Sequence, residues 1–156
     1  MIQWKLKMEK PKILVVDDER DMRIFVSTVV ETLGFEAIAA EDGMEAVEKV
    51  SSNPPALVIL DVMMPKIDDG IQTYRQFRSD PRLSQIPIIM LSAIAQKTFL
   101  HSIRMLSSGQ GPQLAGPEAY MEKPPDANEL SRLITDLLAV DSNEGTNGYH
   151  NACFIS

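Results

Sequence analysis

The sequence predicts an α/β fold, a three-layer sandwich in which one parallel five-stranded sheet lies between helices, and three observations lead there. Ile13-Leu14-Val15-Val16, Leu57-Val58-Ile59-Leu60 and Ile88-Ile89-Met90-Leu91 are runs of consecutive apolar residues, the pattern of strands buried on both faces. Segments with apolar residues at helical spacing separate them, so strand and helix alternate and each parallel strand has its crossover. Each run also ends on a polar side chain, Asp17, Asp61 or Ser92, which collects chemistry at one edge of the sheet.

Taken in order, residues 1–11 alternate apolar and basic side chains loosely up to Pro11 and are read as an N-terminal arm, flexible or laid on the surface. Residues 12–16 form the first strand, which runs into Asp17-Asp18-Glu19. Met22, Phe25, Val26, Val29, Val30 and Leu33 then draw one apolar helix face, closed by Gly34. Residues 35–40 read as a short strand, and Asp42-Gly43 as a turn into a helix over 44–50 that stops before Asn53-Pro54-Pro55. The central strand follows and ends on a carboxylate. A strand buried on both faces has no place for a charge in its interior, so Asp61 emerges at the carboxyl end, where open parallel sheets set their ligand crevices.

Asp68 or Asp69 is placed to cap a third helix over 71–79, which Asp80-Pro81 closes. Residues 86–91 are the fourth strand, with Pro87 tolerated at its start. A fourth helix over 95–106 rests on Phe99, Ile103 and Leu106, and a Gly- and Pro-rich stretch over 107–117 interrupts the regularity. Residues 118–122 form the fifth strand and lead to Lys123-Pro124-Pro125. Asp126 and Glu129 make a capping-box pair for the last helix, whose inner face is Leu130, Leu133, Ile134, Leu137 and Leu138. Residues 12–140 thus form one domain, and 141–156, rich in Asn, Gly and Ser, a flexible C-terminal tail.

At 156 residues the chain has room for one ordinary domain and its core. Its formal charge of -7 opposes contact with nucleic acid or an anionic membrane surface, since no basic cluster relieves it. No apolar run is long enough to span a bilayer, no signal core opens the chain, and Cys153 has no partner for an internal disulfide, so a cytoplasmic protein is expected.

The strand ends bring Asp17, Asp18, Asp61, Ser92 and Lys123 to one edge. Clustered carboxylates repel and resist full ionisation unless a cation joins them, and an all-oxygen donor set suits Mg²⁺. Phosphoryl transfer is mostly positioning and charge neutralisation, with Asp61 able to act as nucleophile while Lys123 and Ser92 donate to the phosphoryl oxygens.

Ile13-Leu14-Val15-Val16-Asp17-Asp18-Glu19, Leu60-Asp61-Val62-Met63-Met64-Pro65, Leu91-Ser92-Ala93 and Tyr120-Met121-Glu122-Lys123-Pro124 together resemble the receiver domain of bacterial two-component response regulators, over roughly residues 12–138. The resemblance implies a flavodoxin-like strand order 2-1-3-4-5 with five helices. It implies that Asp61 is the phosphoacceptor, Asp18 a direct Mg²⁺ ligand, Asp17 a ligand acting mainly through water, and Met63 a ligand through its backbone carbonyl. Ser92 resembles the hydroxyl that follows the phosphoryl group, Tyr120 the aromatic that changes rotamer with it, Lys123 the phosphate-binding base, and Lys123-Pro124 the family's cis peptide. The implied donor is a sensor histidine kinase or phosphotransfer protein. The implied output is a contact with a downstream protein by a monomer or a phosphorylation-dependent dimer, without enzymatic turnover, DNA contact or membrane insertion.

Two departures are visible. One extra residue separates Pro65 from Asp69-Gly70, which is expected to reshape the loop beside Asp61 and the docking of the kinase. The 31 positions from Ser92 to Lys123 exceed the usual span, which predicts an unusual partner surface at the fourth helix and the loop after it.

The same residues also have blander readings. Asp17-Asp18 alone could be a helix-capping turn, Ser92 a strand-end hydroxyl, Tyr120 an edge aromatic and Lys123 a surface lysine. Their coincidence at matching strand ends favours a site. His101 and His150 are read as surface residues, Met44, Met63 and Met64 as packing residues, and the terminal Cys153-Phe154-Ile155-Ser156 as a chance match to a prenylation pattern. Two other functions compete with the switch: a phosphorylation-independent scaffold and an aspartyl-phosphate Mg²⁺-dependent phosphatase. The phosphatase needs a second aspartate two positions after its nucleophile, where this chain has Met63.

Overall fold

Residues 10–50, 54–63, 67–107 and 116–142 are described by the structure, a computed structural model. Five strands alternate with five helices: β1 (Lys12–Val16), α1 (Arg20–Thr32), β2 (Glu36–Ala40), α2 (Gly43–Val50), β3 (Leu57–Asp61), α3 (Ile67–Ser79), β4 (Ile88–Ser92), α4 (Gln96–Ser107), β5 (Ala119–Glu122) and α5 (Ala127–Ser142). All pairings are parallel and the order is β2-β1-β3-β4-β5. No helix among the described residues is long and apolar enough to cross a membrane.

The aliphatic runs are buried on both sides because successive side chains of a strand point to opposite faces. Leu14, Val16, Val58, Leu60, Ile88 and Met90 face a core completed by Ala46 and Val50 of α2, Ile71, Tyr74 and Phe77 of α3 and Phe99 of α4. Ile13, Val15, Leu57, Ile59, Ile89 and Leu91 face the other core, with Val26, Val29 and Val30 of α1 and Leu130, Ile134 and Leu137 of α5. Two residues of difference along a strand therefore keep a side chain in one layer, and one residue moves it to the other.

Local chemistry sets the helix ends. Gly34, at φ 95°, ends α1 in the left-handed conformation: its N–H reaches Glu31 O at 3.0 Å and the Phe35 N–H reaches Val30 O at 3.3 Å, the pair of bonds of a Schellman cap. Asp42 does more than turn the chain. Its Oδ1 accepts the Glu45 N–H at 2.8 Å while Glu45 Oε1 accepts the Glu41 N–H at 2.7 Å, which starts α2. Asp126 Oδ2 accepts the Glu129 N–H at 2.9 Å, as the capping pair predicts.

Several expectations are corrected. α3 begins at Ile67, so Asp68 and Asp69 lie within its first turn instead of capping it, and the exposed Asp69 still stands at the positive helix end. Helix continues through Gly70 because the missing side chain leaves room for the Val62 carbonyl. Phe25 is 36% exposed: at about 100° per residue it sits roughly a quarter-turn from the centre of the Val26, Val29 and Val30 stripe. It lies with the exposed Ile24 beside a groove between α1 and α5. Met44 is exposed, on the side of α2 away from Ala46 and Val50, and Met63 is turned outward past the strand end, so neither packs in the core. α5 runs to Ser142, past the expected boundary at 140. β2 and β5 each begin one residue later than predicted. Residues 1–9 of the arm, Met64, the loop at 64–66 where reshaping is expected, the stretch 108–115, His150 and the remaining tail fall outside the described residues. His101 is exposed, as expected.

Candidate functional site

The site forms where strand order reverses, between β1 and β3. β1 ends at Val16, and Asp17 extends its pairing by one bond, N–H to Ala40 O at 3.1 Å. β3 pairs beside it with Val16 opposite Leu60, so Asp17 and Asp61 leave the sheet at the same level on adjacent strands. On the far side of β3, Asp61 pairs with Leu91, which puts Ser92 one position further out. The Lys123 N–H bonds Ser92 O at 2.8 Å and seats the lysine at the end of β5.

Lys123 Nζ lies 3.0 Å from Asp17 Oδ2, 3.4 Å from Asp61 Oδ2 and 3.1 Å from Glu19 Oε1. Asp17 Oδ1 accepts the Glu19 N–H at 2.9 Å, and Asp61 Oδ1 accepts the Met63 N–H at 3.1 Å. Asp17 and Asp61 are each only 2% exposed, whereas Asp18 is exposed. Burial, joined by the charge of Asp17, pushes the Asp61 carboxyl up to about 7, against the pull of Lys123 and the Met63 amide. Burial also raises Asp17, against the Glu19 amide and Lys123. For Lys123 burial alone pulls downward, but Asp17, Asp61 and Glu19 together outweigh it and hold the ammonium above its usual value.

Oxygen atoms of Asp17, Asp18 and Asp61 come within 4.8 Å of one another. This all-carboxylate set of hard donors, two of them buried and resisting ionisation, fits a divalent cation such as Mg²⁺.

Ser92 is fully buried and its Oγ accepts the Ile94 N–H at 3.3 Å; the Tyr120 hydroxyl donates to Ile94 O at 2.7 Å. The two predicted switch residues thus hold opposite ends of one residue in the loop after β4. Tyr120 is itself buried against Phe99, with ring centroids 5.4 Å apart, and burial pushes its hydroxyl up to about 12. Lys123-Pro124 is cis. Glu19, the third carboxylate on Lys123, and Ile94, which acts through its backbone, carried no assignment from sequence. Glu19 stood next to the acid pair, but the contact joins residues 104 positions apart.

Comparison with known proteins agrees with this geometry. Residues 13–135 match the family model described as the response regulator receiver domain. The chain is 36% identical over 150 residues to the "Probable transcriptional regulator ycf27" of Porphyridium aerugineum, covering 96% of this chain and 57% of that protein. It is 35% identical over 127 residues to the alkaline phosphatase synthesis transcriptional regulatory protein PhoP of Bacillus subtilis (strain 168), covering 81% and 48%. The chain therefore spans about half the length of these relatives. The signal receiver domain of a signal transduction histidine kinase from Syntrophus aciditrophicus superposes with a TM-score of 0.69 at 27% identity, covering 88% of this chain and 98% of that one. With the sheet order, the strand-end constellation and the family match in agreement, the chain belongs to the response regulator receiver domains, signalling modules of two-component systems.

Proposed function

We propose that the chain is the phosphorylation-dependent switch of a phosphorelay, with Asp61 as the acceptor of a phosphoryl group from a sensor histidine kinase or phosphotransfer protein. The observation that carries the reading is a buried carboxylate at the end of the central strand with Lys123 Nζ 3.4 Å away and a second buried carboxylate beside it. An Asp61 oxygen gives an electron pair to phosphorus as the phosphorus–nitrogen bond to histidine breaks, and the nitrogen keeps that pair. Lys123 turns N–H donors from Asp17 and Glu19 toward the phosphoryl oxygens. The Ser92 hydroxyl donates to the same group, and since Ser92 and Tyr120 both hold Ile94, its movement reaches the Tyr120 ring.

Asp18 and Asp61, with Asp17 through water and Met63 through its backbone carbonyl, are the residues that would hold Mg²⁺. When bound, it supplies positive charge for the oxygens of the transferred group. Slow hydrolysis of the acyl phosphate returns Asp61, so no external substrate is turned over. The partners are the phosphohistidine donor and a downstream protein, and the compartment that holds both is the cytoplasm.

Intact-protein mass after incubation with acetyl phosphate or phosphoramidate and Mg²⁺ tests the reading. One phosphoryl adduct is expected, absent from Asp61→Asn and from chelated samples. No adduct on folded wild-type protein overturns it in favour of the phosphorylation-independent scaffold.

A further inference from the structure

At the opposite end of the sheet from the acidic site lies an apolar groove of about 530 Å³, walled by Pro11, Leu33, Phe35, Ala56, Leu138 and Ala139. Leu33, Phe35 and Leu138 are partly buried side chains on the fringe of the α1–α5 core, so the groove is a gap in the cover of that core. We propose that the chain's own N-terminal arm, residues 2–8, seats its apolar edge in this groove with Trp4 as the anchor.

Three observations select this occupant. The arm joins the domain at Pro11, itself a wall of the groove. At about 3.3 Å per extended residue, three residues of chain reach roughly 10 Å from that wall to Met8 and seven reach roughly 23 Å to Trp4. Second, Ile2, Trp4, Leu6 and Met8 alternate with Gln3, Lys5, Lys7 and Glu9, so an extended arm carries apolar groups along one edge and polar ones along the other. Third, the charges match. Lys5, Lys7 and Lys10 outnumber Glu9 on the arm, while the exposed Glu31, Glu36 and Asp136 each stand within two residues of the groove lining. Of the described residues equally near and outside the arm, only Lys12 is basic. The C-terminal segment over 143–156 has Glu144 and no lysine or arginine, so it shares the sign of the rim and is disfavoured as occupant. A Trp side chain brings the largest apolar area the arm has to offer.

Trp4 is the single tryptophan of the 156 residues, so fluorescence of this chain excited on the red side of the tyrosine band reports on the arm alone. The expected native emission is blue-shifted from that in urea, with several-fold weaker acrylamide quenching. Ala139→Lys, at an exposed position, puts a long side chain with the arm's own charge into the groove; it should return emission and quenching to the urea values while far-UV circular dichroism stays unchanged. Trp4→Ala should lower the thermal midpoint read by circular dichroism. Native emission and quenching equal to those in urea overturn the proposal. So does protection of Trp4 that survives Ala139→Lys, protection that vanishes on dilution and so belongs to a second copy, or protection lost only when residues 143–156 are deleted. None of these readouts depends on the phosphoryl-transfer reading.

Discussion

Asp61 is the residue whose environment departs furthest from that of an ordinary carboxylate, and stability should register it. Below its ordinary value of 3.8 the group is protonated in both folded and unfolded chains and contributes nothing. Between there and about 7 the unfolded chain has ionised Asp61 while the folded chain keeps the proton, so stability falls as pH rises; above about 7 the full penalty stands. Asp61→Asn removes it. In chelator-containing buffer the variant should lie within about 0.5 kcal/mol of wild type near pH 4 and be more stable by about 2–4 kcal/mol at pH 8, from a pKa displacement of several units at about 1.4 kcal/mol each. Urea unfolding at a series of pH values checks this; a variant equally or less stable at pH 8 refutes the buried-charge account. At this scale the acids, the hydroxyl and the lysine were legible because each follows an apolar run that can only be a strand. That Asp17 is buried while Asp18 is exposed was not legible, nor was the hold of Glu19 on Lys123, because both depend on neighbours from other strands.

Among the elements, α3 shows how a local pattern is overruled. Asp68 or Asp69 reads as the cap of a helix that starts after Gly70, yet the helix runs through all three. A Cβ built on Gly70 would collide with the Val62 carbonyl, so glycine is required for helix α3 to pass against the segment that follows Asp61. Gly70→Ala, which improves helix propensity, should therefore destabilise the protein by about 2–4 kcal/mol, because the obstacle is backbone and cannot swing aside. Thermal unfolding decides; neutral or stabilising behaviour would mean that α3 stands clear of Val62. The outward Phe25 teaches the complementary lesson. An apolar residue at the edge of a helical stripe fits the periodicity, and only the packed partner helix α5 settles that Val26, Val29 and Val30 suffice.

Across the whole molecule, one side chain joins three elements. Arg78, near the end of α3 and 11% exposed, donates to Ser84 O at 3.1 Å, Ile86 O at 3.0 Å, the Tyr74 hydroxyl at 3.3 Å and Glu118 Oε1 at 2.6 Å. Glu118 in turn accepts the Ile88 N–H at 2.7 Å, so the clamp fixes the starts of β4 and β5 against α3. Arg78→Met keeps most of the stem but strands these acceptors, and should cost about 2–3 kcal/mol in urea unfolding. A loss below about 0.5 kcal/mol would mark it as an ordinary surface pair. By itself, the sequence determined the fold class, the alternation of elements, the strand order through its likeness to a family, and the edge at which the polar residues gather. Hydrophobic period and strand-end chemistry are local and survive in one dimension. Tertiary structure alone decided which acids lose their water, that Lys123 is shared by three carboxylates, that Ser92 and Tyr120 meet on Ile94, and that Gly70 and Arg78 hold the layers in place. Those properties are sums over neighbours distant in the chain, and burial and charge take their values only when the chain has brought those neighbours together.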